Sequence, residues 1–288
     1  MSEPVLTGGE GFTDAVTVSF ADREAGFFGL ARAGVSRGPD GALQGSALGV
    51  LFAGREPVGV VAEGGAPLGA DANWGELRLP GLTVTTLEDH ARWRVQMQAA
   101  SGAGFDLEFE AASPPAELEA DAGAARLGGM AGHEKLCRVR GTAGGRPVDC
   151  LGQRGRAWGT ADWSRIALTR SLAAWLEEGP SVVVTAVRPL GAESHAEEAQ
   201  WAVLLDAEGA VPISDPRVST TYDADGHQRR AGLELWVGED DDYPRRGAGQ
   251  VLCGSSVALG QLRLDCAFFA WHLDGREGVG RYDVLRHA

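Results

Sequence analysis

The stretch "LGQRGRAWGTADW", residues 151–163, carries two tryptophans, two arginines and an aspartate among glycines and alanines. It is too polar for an ordinary core strand and too aromatic for an ordinary loop. Read as an extended segment, it places Gly155, Ala157, Gly159 and Ala161 on one face and Arg154, Arg156, Trp158, Thr160 and Asp162 on the other. Size is therefore segregated by face. The small side permits close approach of another layer, while the large side presents guanidinium, indole and carboxylate groups to a cavity or surface.

Period-two patterning continues on either side of this stretch. "HARWRVQM" alternates Trp93, Val95 and Met97 with Arg92, Arg94 and Gln96, and "FDLEFEA" alternates Phe105, Leu107 and Phe109 with acidic residues. The two read as a hairpin closed over "AASGAG", apolar face inward, arginines opposite carboxylates on the outer face. Further strands are predicted in "TVSF", "ALGVLFA", "PVGVVA", "GELRLPGLTV", "SVVVTAVRPL", "QWAVLLDAEG", "AGLELWVG" with Trp236, and "QLRLDCAFFAWHL" with Trp271 and His272. The last carries Leu262, Leu264, Cys266, Phe268 and His272 on one face and Arg263, Asp265, Phe269 and Trp271 on the other, so neither face reads as plain solvent: it is either a strand covered on both sides or an ordinary amphipathic strand with stray aromatics. Helical pattern is confined to "PPAELEADAGAARLGG" and "LTRSLAAWLEEG". The expected class is all-β, a sandwich or barrel, dividing near "GTAGGRPVDC" into domains 1–145 and 146–288.

Composition narrows the function classes. The chain has 288 residues, is 44% hydrophobic and carries a formal net charge of −14. That length and apolar content suit one large domain or two ordinary ones. The acidic balance argues against nucleic acid or anionic membrane as partners, since both select basic surfaces. Cys137, Cys150, Cys253 and Cys266 stand apart from one another, and histidines 90, 133, 195, 227, 272 and 287 lack HxxxH or HxH spacing. No metal site is expected, and the cysteines read as buried small hydrophobes of a cytoplasmic protein. Lys135 is the sole lysine, which leaves little for Schiff-base or phosphate-loop chemistry. The glycine-rich pieces miss GxGxxG and GxxxxGK[ST], and "GSSVALG" misses GxSxG. No cofactor is expected.

The segment "GQRGRAWGTADW" resembles the signature of the lipocalin-like superfamily of carotenoid 1,2-hydratases (hydroxyneurosporene synthase type) and AttH-like proteins, approximately G-Q/Y-R-D-H-S-W-G-x-R-D-W. Gly152, Gln153, Arg154, Trp158, Gly159, Asp162 and Trp163 match it, while Gly155 and Arg156 stand where the pattern has Asp-His. "SFADREAGFFGLARAG", "HARWRVQMQAASGAGFDLEFEA" and "GVGRYDVLR" extend the resemblance over most of the chain. It implies two tandem lipocalin-like β-barrels, the second carrying the motif, and a lipophilic small molecule as the partner of a monomer or homodimer.

The superfamily includes cofactor-free hydratases of polyenes and, in natural-product and antibiotic pathways, cyclases of the Diels–Alderase type. The Asp-His pair suited to protonating an alkene is absent here. A pericyclic cyclisation needs only a shaped cavity and one or two donors, and confining a flexible polyene to its reactive conformer is worth up to about 7–11 kcal/mol in favourable cases. Arg156 and Gln153 are then the candidate catalytic donors that polarise a substrate carbonyl. Trp158, Trp163, Asp162, Trp93, Trp236, Trp271 and His272 are the candidate substrate-binding residues. The alternatives are a non-catalytic lipophilic carrier and a carotenoid or terpenoid hydratase; beside the functional roles stand plain core packing for Trp158 and Trp163 and a satisfied surface cation for Arg156.

Overall fold

A computed structural model describes residues 3–38, 40–238 and 242–288. The chain separates into two compact units, Met1–Ala112 with Gly129–Ala161, and Ser113–Gly128 with Asp162–Ala288. Each is built on one curled, near-closed antiparallel sheet. No helix among the described residues is long and apolar enough to cross a membrane.

The first unit contains β1 (Thr13–Asp22), β2 (Phe27–Arg37), β3 (Leu43–Ala53), β4 (Glu56–Pro67), β5 (Glu76–Leu79), β6 (Leu82–Glu88), β7 (Arg92–Gln98) and β8 (Gly104–Ala111). The segment 113–128, with β9 (Ala116–Leu118) and α1 (Gly123–Gly128), belongs to the second unit. The chain then returns to the first unit as β10 (Met130–Ala143) and β11 (Arg146–Gly159). The order is β4-β3-β2-β1-β11-β10-β8-β7-β6-β5. Its concave face carries Val16, Val18 and Phe20 of β1, Trp93, Val95 and Met97 of β7, and Cys137 and Val139 of β10, all buried in one core. The β7–β8 hairpin has the predicted register, with Arg92 opposite Glu110 and Arg94 opposite Glu108.

The second sheet joins β12 (Ile166–Leu176), β13 (Ser181–Pro189), β14 (Ala199–Leu205), β15 (Ala210–Pro212), β16 (Asp215–Tyr222), β17 (Gln228–Trp236), β18 (Arg245–Leu259), β19 (Leu262–Leu273) and β20 (Arg276–His287). Its order is β15-β14-β13-β12-β20-β19-β18-β17-β16. Leu172, Val184, Leu204, Leu233, Phe269, Trp271 and Tyr282 form its core, and α1 packs beside β13 and β14.

Three expectations differ from this arrangement. The units do not part near residue 145, because β11 pairs on both sides within the first unit, with β1 and with β10, and so keeps residues 146–159 there. The strand part of the motif, Gly152 to Gly159, accordingly lies in the first unit rather than the second. "LTRSLAAWLEEG" is not a helix but the body of β12. Its Leu and Ala favour a helix in isolation, yet even positions 172, 174 and 176 supply a strand face that pairs with β13 and β20, and tertiary pairing overrides propensity. Of the other predicted helix only the six residues of α1 are helical.

Candidate functional site

On β11 the large residues of the motif point inward. Arg154, Arg156 and Trp158 share the face of Val148 and Cys150, which belong to the core of the first unit. Arg156 is buried, and its Nε and Nη2 grip the Asp14 carboxylate of β1 at 3.0 and 2.8 Å. Nη2 also donates to the Pro4 carbonyl at 2.7 Å, and Nη1 to Glu3 Oε2 at 3.0 Å. Asp14 Oδ2 further accepts the indole N–H of Trp74 at 2.9 Å and the backbone N–H of Leu6 at 2.8 Å. Four of the five guanidinium N–H groups are thus engaged by this protein's own acceptors. The donor expected to meet a substrate carbonyl instead neutralises two buried carboxylates.

Arg154 sits 4.2 Å above the ring of Trp93, a residue with 0% exposure, and donates to Glu3 Oε2 at 3.2 Å. Burial alone would raise the Glu3 carboxyl, but the Arg154 and Arg156 cations outweigh it and hold it below its usual range. Lys135, opposite Arg154, lies 5.5 Å from the same indole and donates to the His90 carbonyl at 2.6 Å. Trp158 is half-buried, edge-on to His133 at 6.0 Å and 5.8 Å from Arg156. Gln153 faces the other way and donates to Glu134 Oε2 at 2.6 Å. The same carboxylate approaches Gly155, where any Cβ would overlap it. The small face of the motif therefore makes room for a neighbouring side chain of its own sheet.

Opposite Arg156 is His133. Burial, then the Arg154 cation 3.4 Å from its Nε2, pushes its imidazole down to about 4. The unfolded imidazole titrates near 6.5. Between those values the unfolded chain binds the extra proton, so stability is expected to fall as the pH falls from 6.5 towards 4, by about 2–3 kcal/mol. Urea midpoints measured across this range test the sign, and His133→Gln is expected to flatten the slope.

The remaining motif residues belong to the second unit. Asp162 is exposed and caps a turn, its Oδ1 accepting from the Ser164 N–H at 3.1 Å and hydroxyl at 2.6 Å. Trp163 packs edge-on against His287 at 5.8 Å. Trp271 is core, stacked on Phe269 at 5.6 Å, and Trp236 is half-buried at the end of β17. The nine candidate residues are thus divided between the two units, Trp93, Gln153, Arg156 and Trp158 in the first and Asp162, Trp163, Trp236, Trp271 and His272 in the second.

What the second unit does contain is a cavity of about 1120 Å³ bounded by β14, β16, β17 and β18. His272, alone among the candidate residues, lines it. Val218, Leu233, Gly232, Gly247 and Ala248 supply apolar and small surface, Gln200, Ser219 and Thr220 supply polar atoms, and Glu198, Asp215, Arg217, Glu234 and Arg246 bring charge to its edge. Behind Thr220 lies a buried polar chain. Thr220 Oγ1 and the Tyr282 hydroxyl are 2.5 Å apart, and Arg170 Nη1 donates to both, at 3.4 and 3.3 Å. Arg170 Nη2 is paired with Glu198 Oε2, whose other oxygen receives Arg188 Nη2 at 2.6 Å. Burial raises the Tyr282 phenol, so it stays protonated at neutral pH.

Sequence reasoning passed over Arg170, Glu198, Thr220 and Tyr282. Arg170 had a signal: it is a lone charge in line with the apolar positions 172, 174 and 176, which marks a buried, paired cation once the segment is read as a strand. A shallower groove of about 590 Å³ beside β7 and β8 offers Gln96, Gln98 and Asp106, but Asp106 is already taken by Arg94 Nε at 2.7 Å. The four cysteines are free and buried, and burial pushes the Cys137 thiol up to about 12. Among the described residues Asp223, Asp225 and His227 come within metal-ligand reach of one another, but Asp223 Oδ1 there accepts the backbone N–H groups of Asp225 and His227, as in an ordinary Asx turn.

Residues 6–288 match the family DUF7064, a domain of unknown function. No curated protein matches the chain. Among solved structures, an AttH-like protein from Nitrosomonas europaea is similar at a TM-score of 0.63 and 12% identity, over 96% of this chain and 93% of that one. CghA with Sch210972 is similar at a TM-score of 0.62 and 11% identity, over 100% and 94% of the two chains. CghA in a second structure aligns at 0.57 over the same extents. At such identities the likeness is one of fold, the lipocalin-like architecture.

Proposed function

We propose, from the premise that the chain belongs to the DUF7064 family and shares the fold of the AttH-like protein and CghA, that it is a cofactor-independent enzyme. It folds and cyclises a hydrophobic polyene or polyketide intermediate of natural-product biosynthesis. The observation that carries this reading is the cavity of the second unit, where a hydroxyl backed by a buried arginine stands beside the apolar and small surface of Val218, Leu233, Gly232 and Gly247, within a lining that also carries charged side chains. A carrier needs the apolar walls alone, whereas a site that acts on its ligand needs a polar group aimed at a reacting atom. The crystal structure of CghA with Sch210972 supports reading this fold as one that holds a ligand. Within such a cavity the walls select one conformer of a flexible chain, and a fixed donor stabilises charge that grows on a carbonyl oxygen as the ring closes.

Three outcomes of one assay separate the readings. Linear polyene ketones, beginning with pseudoionone, are incubated with the protein in EDTA without added cofactor and analysed by chromatography and mass spectrometry. The proposal expects a product of unchanged mass and altered retention. A product that gains one water makes the protein a hydratase, and bound ligand recovered unchanged makes it a carrier. Ala248→Trp, at an exposed position on the cavity rim, is expected to lower turnover on the order of tenfold or more, the equivalent of about 1.4 kcal/mol of lost transition-state binding. Undiminished turnover in this variant removes the cavity from the reaction.

A further inference from the structure

We infer that the Thr220 hydroxyl is the hydrogen-bond donor that meets the ligand in the second unit's cavity, and that the ligand presents a carbonyl-type oxygen acceptor there. The inference rests on the reading of that cavity as the ligand site.

A guanidinium offers only donors, so the Tyr282 and Thr220 oxygens both accept from Arg170 Nη1, and neither hydroxyl can donate to it. Between the two hydroxyls one hydrogen is shared, across 2.5 Å. Tyr282 has 0% exposure and packs against Phe269 at 5.6 Å. Were Thr220 to donate to it, the phenolic hydrogen would be left buried with no acceptor, at a cost of about 1–3 kcal/mol. Tyr282 therefore donates to Thr220. Thr220 Oγ1 then receives two hydrogen bonds and retains one hydrogen to give.

That hydrogen has one place to go. Val218 and Thr220 share the inward face of β16, and Thr220 is half-buried on the cavity wall. The buried cation and the phenol behind it polarise the Thr220 hydroxyl, which strengthens its remaining bond. A threonine side chain neither gains nor loses a proton near neutral pH, so it serves a step that polarises an oxygen without transferring a proton. Arg170 and Tyr282 are positioning residues. Their task is to fix which way the threonine hydrogen points.

Two probes of similar shape test this: pseudoionone, which has a carbonyl, and β-farnesene, a hydrocarbon polyene. Infrared difference spectra of bound pseudoionone are expected to show the carbonyl stretch below its position in an apolar solvent. Thr220→Val should return the stretch towards that position and weaken pseudoionone about three- to tenfold while leaving β-farnesene affinity unchanged. Thr220→Ser, which keeps the hydroxyl, should retain the shift, and Tyr282→Phe should broaden or reduce it. An unshifted carbonyl in wild type, or equal weakening of both probes by Thr220→Val, overturns the inference and leaves the cavity reading standing. Failure of pseudoionone to bind, or binding that Ala248→Trp does not disturb, overturns the cavity reading itself.

Discussion

Arg156→Met is expected to destabilise the protein by about 3–5 kcal/mol, the range measured when one partner of a buried ion pair is removed. Arg156 bridges Asp14, whose side chain has 0% exposure, and Glu3, at 4%. Methionine fills much of the volume but leaves both carboxylates short of a cation in a site that water does not reach. Arg154 still serves Glu3, and the Trp74 indole and Leu6 amide still serve Asp14, so the loss stays within that range. In a unit of this size a loss of this order corresponds to a fall in melting temperature of roughly 10 °C. Arg156→Lys keeps the charge without the planar fork that grips Asp14 through two nitrogens, and should lose less. Calorimetry beside the turnover assay separates the roles. A melting temperature near wild type with abolished turnover would return Arg156 to the catalytic role that its place in the motif suggests.

Glu198→Gln is expected to cost a comparable amount, about 3–5 kcal/mol, in the second unit. The Glu198 side chain has 0% exposure and binds two arginines, Arg170 at 3% and Arg188 at 25%. Arg188 can turn to solvent when the charge is lost. Arg170 cannot, and its cation would remain in the core beside the Tyr282 and Thr220 hydroxyls. The double variant Glu198→Gln/Arg170→Met removes both members of the pair and should recover part of the loss, because a whole buried pair is far cheaper to replace than to halve. Urea unfolding of the single and double variants checks this. Strictly additive losses would mean that the two side chains are not energetically coupled.

How much of this was legible in the sequence depends on parity. Where apolar and polar residues alternate without interruption, as in Trp93, Val95 and Met97, both the strand and its buried face were readable, and the cross-strand charges fixed the register. The face segregation of Arg154, Arg156 and Trp158 was readable for the same reason. What those side chains meet was not, because Arg156's partners, Glu3 and Asp14, lie 153 and 142 residues away. No local pattern in "SEPVLT" announces a buried glutamate. In the second unit, Arg170 interrupts the apolar alternation that would have identified β12, so a single charged residue hid both the strand and the polar network it organises. The boundary between units was hidden by topology: the segment of loosest composition is the β10–β11 turn inside the first unit, and the chain crosses between units after Ala112, Gly128 and Ala161.

The pairing of β1 with β11 also constrains the order of events during synthesis. β1 is made first, yet its partner on that side, Gly152 to Gly159, emerges only after every other strand of the first unit and after a segment, 113–128, that belongs to the second. Until then Asp14 lacks the two-nitrogen grip of Arg156 and one long edge of β1 stands open beside β2. Sequence separation of this order slows folding, because the closing contacts are reached only after a long loop has been ordered. A nascent chain halted before residue 146 carries an unpaired strand edge of the kind that joins sheets between molecules. The motif strand is thus also the one whose late arrival closes the open edge of β1 in the first unit.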